Sequence, residues 1–189
     1  IRSGTTIDQD LIEAAGKLHV IGRAGVGVDN IDIPAATQKG IVVMNTPDVN
    51  TVSAAEHTVG IMLALARNIS IGHQGFNIGE WNRHTLVGTE LRNKIIGIVG
   101  LGKIGREVMS RCLSFGMRIL GYDPYITENL FSADEITLTD LDTLTRESDF
   151  ITLHVPMLDS TRNLFDLERL QKMKPTARII NVARGGIIN

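Results

Sequence analysis

Three glycines follow a short apolar run and open an amphipathic helix, in the pattern Gly100-x-Gly102-x-x-Gly105 after Ile95–Val99. In this arrangement the first glycine permits a tight turn, the second lets the backbone approach a pyrophosphate, and the third lets the helix pack on the strand. The N–H groups at the start of the helix can then bind the phosphate. The pattern therefore predicts a dinucleotide site on a strand–turn–helix unit.

A second apolar run, Ile119–Tyr122, ends in Asp123 and Pro124, at the spacing typical of a ribose-binding acid. A carboxylate at this position accepts a hydrogen bond from the ribose 2′-hydroxyl and repels a 2′-phosphate, so NAD is predicted rather than NADP. A solvated turn acid before Pro124 is the alternative.

Two further predicted strands end in residues that could do chemistry, because ligands of open α/β sheets bind at the carboxyl ends of strands. Arg184 follows Ala177–Val182 and could hold a carboxylate bidentately or polarise a carbonyl, or form a structural salt bridge. His154 lies at the end of Phe150–Val155 and could be a general acid/base, or its ring could line the nicotinamide or ribose pocket.

A glycine-bearing loop, Gly25-Val26-Gly27, follows the predicted strand Leu18–Arg23. Its backbone N–H groups could bind a carboxylate. An ordinary strand-to-helix turn explains the spacing equally well.

Alternating strands and helices predict an α/β protein in two parts. Residues 47–189 are expected to form a Rossmann-type doubly wound parallel sheet, and residues 1–46 part of a smaller α/β unit, with a break at Thr46–Thr51. A capping box at Ser53–Glu56 predicts the start of a helix to about Arg67. This helix is apolar nearly all round, which indicates burial between domains or subunits. A polar excursion with a short helix is expected over residues 68–90.

The composition and the motifs that the sequence lacks argue against several classes of function. The formal net charge is −2 with no basic run, so nothing indicates nucleic acid or an anionic membrane as a partner. The apolar stretch Val59–Ala66 is too short to cross a bilayer. No metal-ligand cluster and no phosphate-binding GxxxxGK[ST] motif are present in the sequence. The single cysteine, Cys112, indicates packing and a reducing compartment, and we expect a cytoplasmic protein.

Both ends are expected to be internal to a longer protein. The chain lacks an initiating Met, and no helix follows the strand Ala177–Val182. The absence of a signal peptide is therefore uninformative.

A series of motifs along the chain resembles the D-2-hydroxyacid dehydrogenase family. The motifs are Gly22-Arg-Ala-Gly-Val-Gly-Val-Asp-Asn-Ile-Asp, Val43-Met-Asn-Thr-Pro, Ser53-Ala-Ala-Glu, Gly100-Leu-Gly-Lys-Ile-Gly-Arg, Tyr122-Asp-Pro, His154-Val-Pro and Asn181-Val-Ala-Arg-Gly-Gly. The segment around Arg23–Asn30 most resembles the branch that oxidises 3-phospho-D-glycerate with NAD in serine synthesis.

The resemblance implies an NAD-dependent enzyme with an inserted Rossmann domain, a flavodoxin-like substrate domain, and a homodimeric or homotetrameric assembly. Arg184 would be catalytic by orienting the 2-hydroxy or 2-keto acid, and Arg23, Gly25, Val26, Gly27 and Arg184 would bind this substrate. His154 falls on a cofactor-contact position rather than on the catalytic histidine. The implied cofactor-binding residues are Gly100, Gly102, Lys103, Ile104, Gly105, Asp123, Pro124, His154, Val155, Pro156, Thr161, Val182, Ala183 and Arg184.

The family's catalytic histidine and its partner glutamate would lie beyond residue 189, so we expect the chain by itself to be inactive. A glyoxylate, hydroxypyruvate or other 2-keto-acid reductase remains an alternative within the family. An NAD-sensing transcriptional corepressor is a distant one, and the chain alone could serve as a pure binding module.

Overall fold

The computed structural model describes residues 1–126 and 131–189. This part of the chain divides into two compact units, Ile1–Thr51 and Val52–Asn189. The sequence places the break a few residues earlier, at 46/47. Among the described helices, none combines the length and apolar character needed to cross a membrane.

The first unit pairs two parallel strands, β1 (Val20–Arg23) and β2 (Val42–Asn45), with two short helices, α1 (Gln9–Ala14) and α2 (Ile33–Gln38). The Asp8 carboxylate caps α1 by accepting a hydrogen bond from Leu11 N–H. Asp32 caps α2 in the same way, as its position before Pro34 predicts. The small core consists of Ile7, Ile12, Ile21, Ile31, Ala36 and Ile41.

Two helices, α3 (Thr51–Ala66) and α4 (Ile69–Asn77), and a 3₁₀ turn at Arg83–Leu86 come next, and all of them except Thr51 belong to the second unit. The short helix expected in the polar excursion is thus confirmed. The start predicted from the capping box is wrong, because α3 already begins at Thr51 and Ser53 lies inside it. A Ser-x-x-Glu pattern also fits a helix interior, and here a turn in which Thr51 N–H donates to the Asp48 backbone carbonyl leads directly into the helix.

A five-stranded, fully parallel sheet forms the rest of the second unit, in the order β5-β4-β3-β6-β7. The strands are β3 (Ile95–Val99), β4 (Arg118–Tyr122), β5 (Thr137–Leu138), β6 (Phe150–Leu153) and β7 (Arg178–Asn181). Three helices alternate with them: α5 (Lys103–Ser114), α6 (Leu141–Glu147) and α7 (Leu167–Gln171). The order reverses between β3 and β6, which is where doubly wound folds bind ligands.

Helices cover both faces of this sheet, which confirms the predicted Rossmann-type class. On one face, Met62 of α3 and Val108 and Cys112 of α5 belong to the cluster formed with β3. On the other face, Leu144 of α6 packs with Leu153. The central strand is buried because it has neighbours on both faces, which explains its continuous apolar run.

Candidate cofactor-binding site

In the glycine-rich turn between β3 and α5, the fold requires glycine at two of the three glycine positions. Gly100 has φ 93°, and a Cβ there would lie 2.6 Å from the His154 carbonyl oxygen at the end of β6. A Cβ on Gly105 would collide with the carbonyl oxygen of Gly100, while the Ile98 methyl group lies 3.4 Å away on the strand. These glycines let the turn, α5 and β6 approach one another.

The middle glycine has no such packing reason. A Cβ on Gly102 would meet no atom within 4 Å, and the backbone there (φ −68°, ψ −166°) suits any residue. Gly102 is also the N-cap of α5, and in the described part of the chain no side chain caps this helix start. The exposed Lys103 and half-buried Ile104 follow. An open space beside uncapped N–H groups fits a bound pyrophosphate, so the residues present suit a dinucleotide.

Asp123 is tied directly to this turn. Its Oδ2 accepts from Leu101 N–H at 2.9 Å and its Oδ1 from Tyr125 N–H at 3.0 Å. The solvated-turn interpretation therefore does not describe it, since the half-buried carboxylate holds the glycine turn and the chain after β4 together. Each carboxylate oxygen keeps a further acceptor site for a ribose hydroxyl. Pro124 beside it is exposed.

The end of β6 lies beside Gly100, because His154 N–H donates to Val99 carbonyl. The His154 ring is hydrogen-bonded through Nε2 to the buried Thr152 hydroxyl at 2.9 Å. Burial lowers the pKa of His154 to about 4. A group with this pKa is a poor proton acceptor near pH 7, which favours a pocket-lining role over acid/base catalysis.

The loop after His154 is closed by Thr161. Its hydroxyl donates to the Pro156 carbonyl at 2.6 Å and accepts from Leu158 N–H at 2.8 Å. Val155 is half-buried and Pro156 exposed at the start of this loop.

The end of β7 carries Val182, Ala183 and Arg184, all half-buried. The Asn181 amide holds this segment from both sides, accepting from Ala183 N–H at 3.0 Å and donating to the Arg184 carbonyl at 2.7 Å. The Arg184 guanidinium also donates to the Ala183 carbonyl at 2.8 Å. Asn181 was not singled out from the sequence, although an Asn before a turn is a known signal for such a bond.

The loop Gly25-Val26-Gly27 belongs to the first unit. Gly25 has φ 154°, and a Cβ there would collide with the Arg23 guanidinium. Asn45 Nδ2 donates to the Val26 carbonyl at 2.7 Å. Arg23 is itself held by a 3.2 Å hydrogen bond from its Nε to Asn30 Oδ1. The loop and the guanidinium are thus fixed next to each other in one compact segment.

Metal and thiol chemistry have little support in the described residues. Within 1–126 and 131–189, no three His, Cys, Asp or Glu side chains come together as a metal site. Cys112 is fully buried in α5, and burial raises its pKa to about 12. This confirms packing as its role.

Comparison with known proteins identifies the family. Residues 59–189 match the family described as D-isomer specific 2-hydroxyacid dehydrogenase, NAD binding domain. D-3-phosphoglycerate dehydrogenase of Synechocystis sp. is 52% identical over 191 residues, covering 100% of this chain and 34% of that protein. The corresponding enzyme of Methanocaldococcus jannaschii is 50% identical and is covered to 36%. The chain thus spans about a third of the length of these relatives.

Solved structures agree with this assignment. NAD-dependent formate dehydrogenase from Staphylococcus aureus, in complex with NAD, superposes with a TM-score of 0.90 at 38% identity, covering 97% of this chain and 55% of that one. D-Lactate dehydrogenase from Aquifex aeolicus, complexed with NAD and lactic acid, gives 0.85 at 32% identity with the same coverage. With most of the chain matched by the family and the glycine turn, acid and strand ends in place, this chain belongs to the D-isomer-specific 2-hydroxyacid dehydrogenases and carries their NAD-binding domain.

Proposed function

We propose that the protein is an NAD-dependent dehydrogenase that oxidises 3-phospho-D-glycerate to 3-phosphohydroxypyruvate. The observation that carries the cofactor part is the open, uncapped helix start at Gly102, where packing does not require a glycine. The substrate part is supported by curated relatives named D-3-phosphoglycerate dehydrogenase that are about half identical over the whole chain.

In this proposal the residues of the second unit bind and orient. The N–H groups of Gly102–Gly105 bind the pyrophosphate, and Asp123 accepts from the adenosine ribose. His154, Val155, Pro156 and Thr161 form one wall of the pocket, with the neutral His154 ring fixed by Thr152. NAD bound there would supply the hydride acceptor for C2 of the hydroxy acid, and the hydroxyl proton would leave to a general base.

In this proposal an arginine side chain orients the substrate. Arg184 binds the carboxylate in a bidentate manner, and Asn181 fixes the backbone from which it projects. Holding the substrate in one orientation lowers the entropic cost of reaching the reactive geometry. Within the first unit, Arg23 and the Gly25–Gly27 loop carry guanidinium and N–H donors of the kind that bind a phosphate or a carboxylate.

A calorimetric titration of the chain with NADH and NADPH tests the cofactor part. We expect saturable NADH binding, with NADPH at least about tenfold weaker because the Asp123 carboxylate repels a 2′-phosphate. Asp123→Asn keeps an acceptor but removes the charge, so the preference for NADH should shrink. Asp134→Asn, an exposed acid in the same unit, is the control. A folded chain that binds NADPH as well as NADH would contradict the assignment of Asp123.

A 2-keto-acid reductase is the second candidate, because similar solved structures include the pyruvate reductase of Chlamydomonas reinhardtii, with a TM-score of 0.87 at 33% identity. The whole protein should be assayed with 3-phospho-D-glycerate and NAD, and with glyoxylate or hydroxypyruvate and NADH. A value of kcat/KM highest for 3-phospho-D-glycerate supports the first function. Clear preference for an unphosphorylated keto acid supports the second.

We also propose that the protein is a homodimer, or a tetramer built from such dimers, joined through α3 and α4. Large apolar side chains are exposed here: Phe76 on α4 is 70% accessible, and Trp81, in the loop that follows α4, is 67% accessible. Phe76→Glu should shift the sedimentation coefficient to that of a monomer, whereas Leu167→Glu, at an exposed position on α7, should not. A wild-type chain that sediments as a stable monomer would contradict the proposal.

A further inference from the structure

Arg106, the residue after the last glycine of the motif, folds back onto the glycine turn. Its Nε donates to the Leu101 carbonyl at 2.9 Å. Its guanidinium lies over the Phe131 ring, 5.3 Å from the centroid, in the geometry of a cation–π contact. Two independent contacts therefore hold the Arg106 side chain against the turn.

The bond to the Leu101 carbonyl also determines where the next N–H points. The Leu101 carbonyl and the Gly102 N–H belong to one peptide group, and the described residues contain no cis peptide bond. In a planar trans peptide the C=O and N–H point in opposite directions. Holding the carbonyl on the Arg106 side thus keeps the Gly102 N–H on the opposite side of the turn.

The preceding peptide, between Gly100 and Leu101, is also held by a side chain, but through its N–H group instead of its carbonyl. Its N–H, on Leu101, donates to Asp123, and its carbonyl oxygen, on Gly100, accordingly faces Gly105 on the other side. Two successive peptides of the turn are therefore each held by a charged side chain, Asp123 for one and Arg106 for the other.

We propose that Arg106 is a positioning residue for the pyrophosphate-binding turn, with Phe131 as the support for its guanidinium. Arg106 acts through the Leu101–Gly102 peptide, whose orientation presents the Gly102 N–H to the phosphate. This inference rests on the proposed NAD-binding function and adds to it a residue outside the three glycines and the acid. Preorganised donors bind more tightly because the turn is already ordered before the ligand binds, so binding carries no entropic cost for ordering it.

Three variants separate positioning from folding. Arg106→Leu removes the donor and the charge, Arg106→Lys restores a positive donor, and Phe131→Leu removes only the ring. Arg111→Leu is the matched control, since Arg111 lies on the same helix and donates to the Glu107 carbonyl instead of the turn. Arg106 is exposed, so its replacement leaves the core intact.

The ligands distinguish a pyrophosphate effect from a general one. We expect Arg106→Leu to raise the Kd for NADH roughly three- to tenfold, as loss of one hydrogen bond predicts. Its Kd for adenosine, which lacks the pyrophosphate, should change by less than about twofold, because no phosphate contact is lost. Arg106→Lys should recover part of the NADH affinity, and Phe131→Leu should lie between wild type and Arg106→Leu. The Gly102 amide resonance in a ¹⁵N-labelled chain should shift in Arg106→Leu and not in Arg111→Leu.

The outcomes distinguish this inference from the proposed function. Equal NADH affinity in Arg106→Leu and Arg111→Leu, or equal losses for NADH and adenosine in Arg106→Leu, would overturn the positioning role alone. Absence of NADH binding by the unchanged, folded chain would overturn the proposed function, and the positioning role with it.

Discussion

Gly102 and Gly105 offer a direct test of which glycines serve the fold and which serve the ligand. Each is replaced by alanine, which adds the same single methyl group. At Gly105 the new Cβ collides with the Gly100 carbonyl oxygen and also lies 3.1 Å from the Gly100 carbonyl carbon. At Gly102 it meets no atom within 4 Å.

The expected magnitudes differ accordingly. Overpacking against backbone costs about 1–3 kcal/mol, and the rigid turn leaves little room for relaxation, so we expect the upper part of that range at Gly105. The better helix propensity of alanine returns up to about 1 kcal/mol, which leaves a net loss of about 2 kcal/mol. For a chain of this size that lowers Tm by about 4–8 °C. At Gly102 the change in stability should stay within about 0.5 kcal/mol, since its backbone angles suit alanine.

For NADH affinity we expect the reverse order, with the larger loss at Gly102. The Gly102→Ala methyl group occupies the space in which we place the pyrophosphate, so NADH affinity should fall at least about tenfold although the fold is unchanged. Thermal unfolding by circular dichroism and titration with NADH measure the two effects on the same samples. A Gly102→Ala chain that binds NADH like wild type would refute the assignment of this space to the pyrophosphate. A Gly105→Ala chain with an unchanged Tm would refute the packing argument.

Three further predictions concern charge and burial. Burial raises the pKa of Asp149, but the Ile95 N–H and the Lys174 ammonium outweigh it and hold this pKa below its usual 3.8. Asp149→Asn should therefore cost about 1 kcal/mol at pH 7, and urea titrations should show the difference disappearing as the pH falls below 3.8, through the lowered pKa. His154, with its pKa lowered from 6.5 to about 4 by burial, resists protonation in the folded chain. Stability should thus decline by up to about 3 kcal/mol between pH 6.5 and 4, and His154→Gln should flatten this decline; an unchanged pH profile would contradict the burial argument. The buried Cys112 thiol, with a pKa of about 12, should react with a thiol-specific disulfide reagent only in urea, and rapid reaction of the folded chain would contradict its burial.

Local patterns predicted the elements of the site well. The apolar run Ile95–Val99 is a strand with the predicted bounds, and the glycine motif follows it as a turn into α5. These features depend on neighbours in the chain, since strand burial and turn chemistry act over a few residues. The same locality misled at Ser53–Glu56, where a capping pattern lies inside a helix that begins earlier. A pattern of four residues does not distinguish a helix start from a helix interior when the preceding turn also permits helix.

The contacts within the site required the tertiary structure. Asp123 and Leu101 are 22 residues apart, and their hydrogen bond exists because β4 pairs with β3 in parallel register. Likewise, the role of His154 depends on burial, because burial lowers the pKa of its ring and leaves the ring neutral beside the Thr152 hydroxyl. Arg106 gave no signal of its own, because its acceptor is a backbone carbonyl, which every residue has.

By itself, the sequence determined the class of fold, the position of the dinucleotide turn and the acid that follows the second strand, because all three are encoded by residue type and spacing along one βαβ unit. The family resemblance followed from the same motifs and was confirmed. Only the tertiary structure decided which glycines the packing requires, which side chains hold the turn and whether His154 carries a charge. These properties depend on distances between segments that are remote in sequence and on exclusion of water, and local sequence patterns predict neither of them.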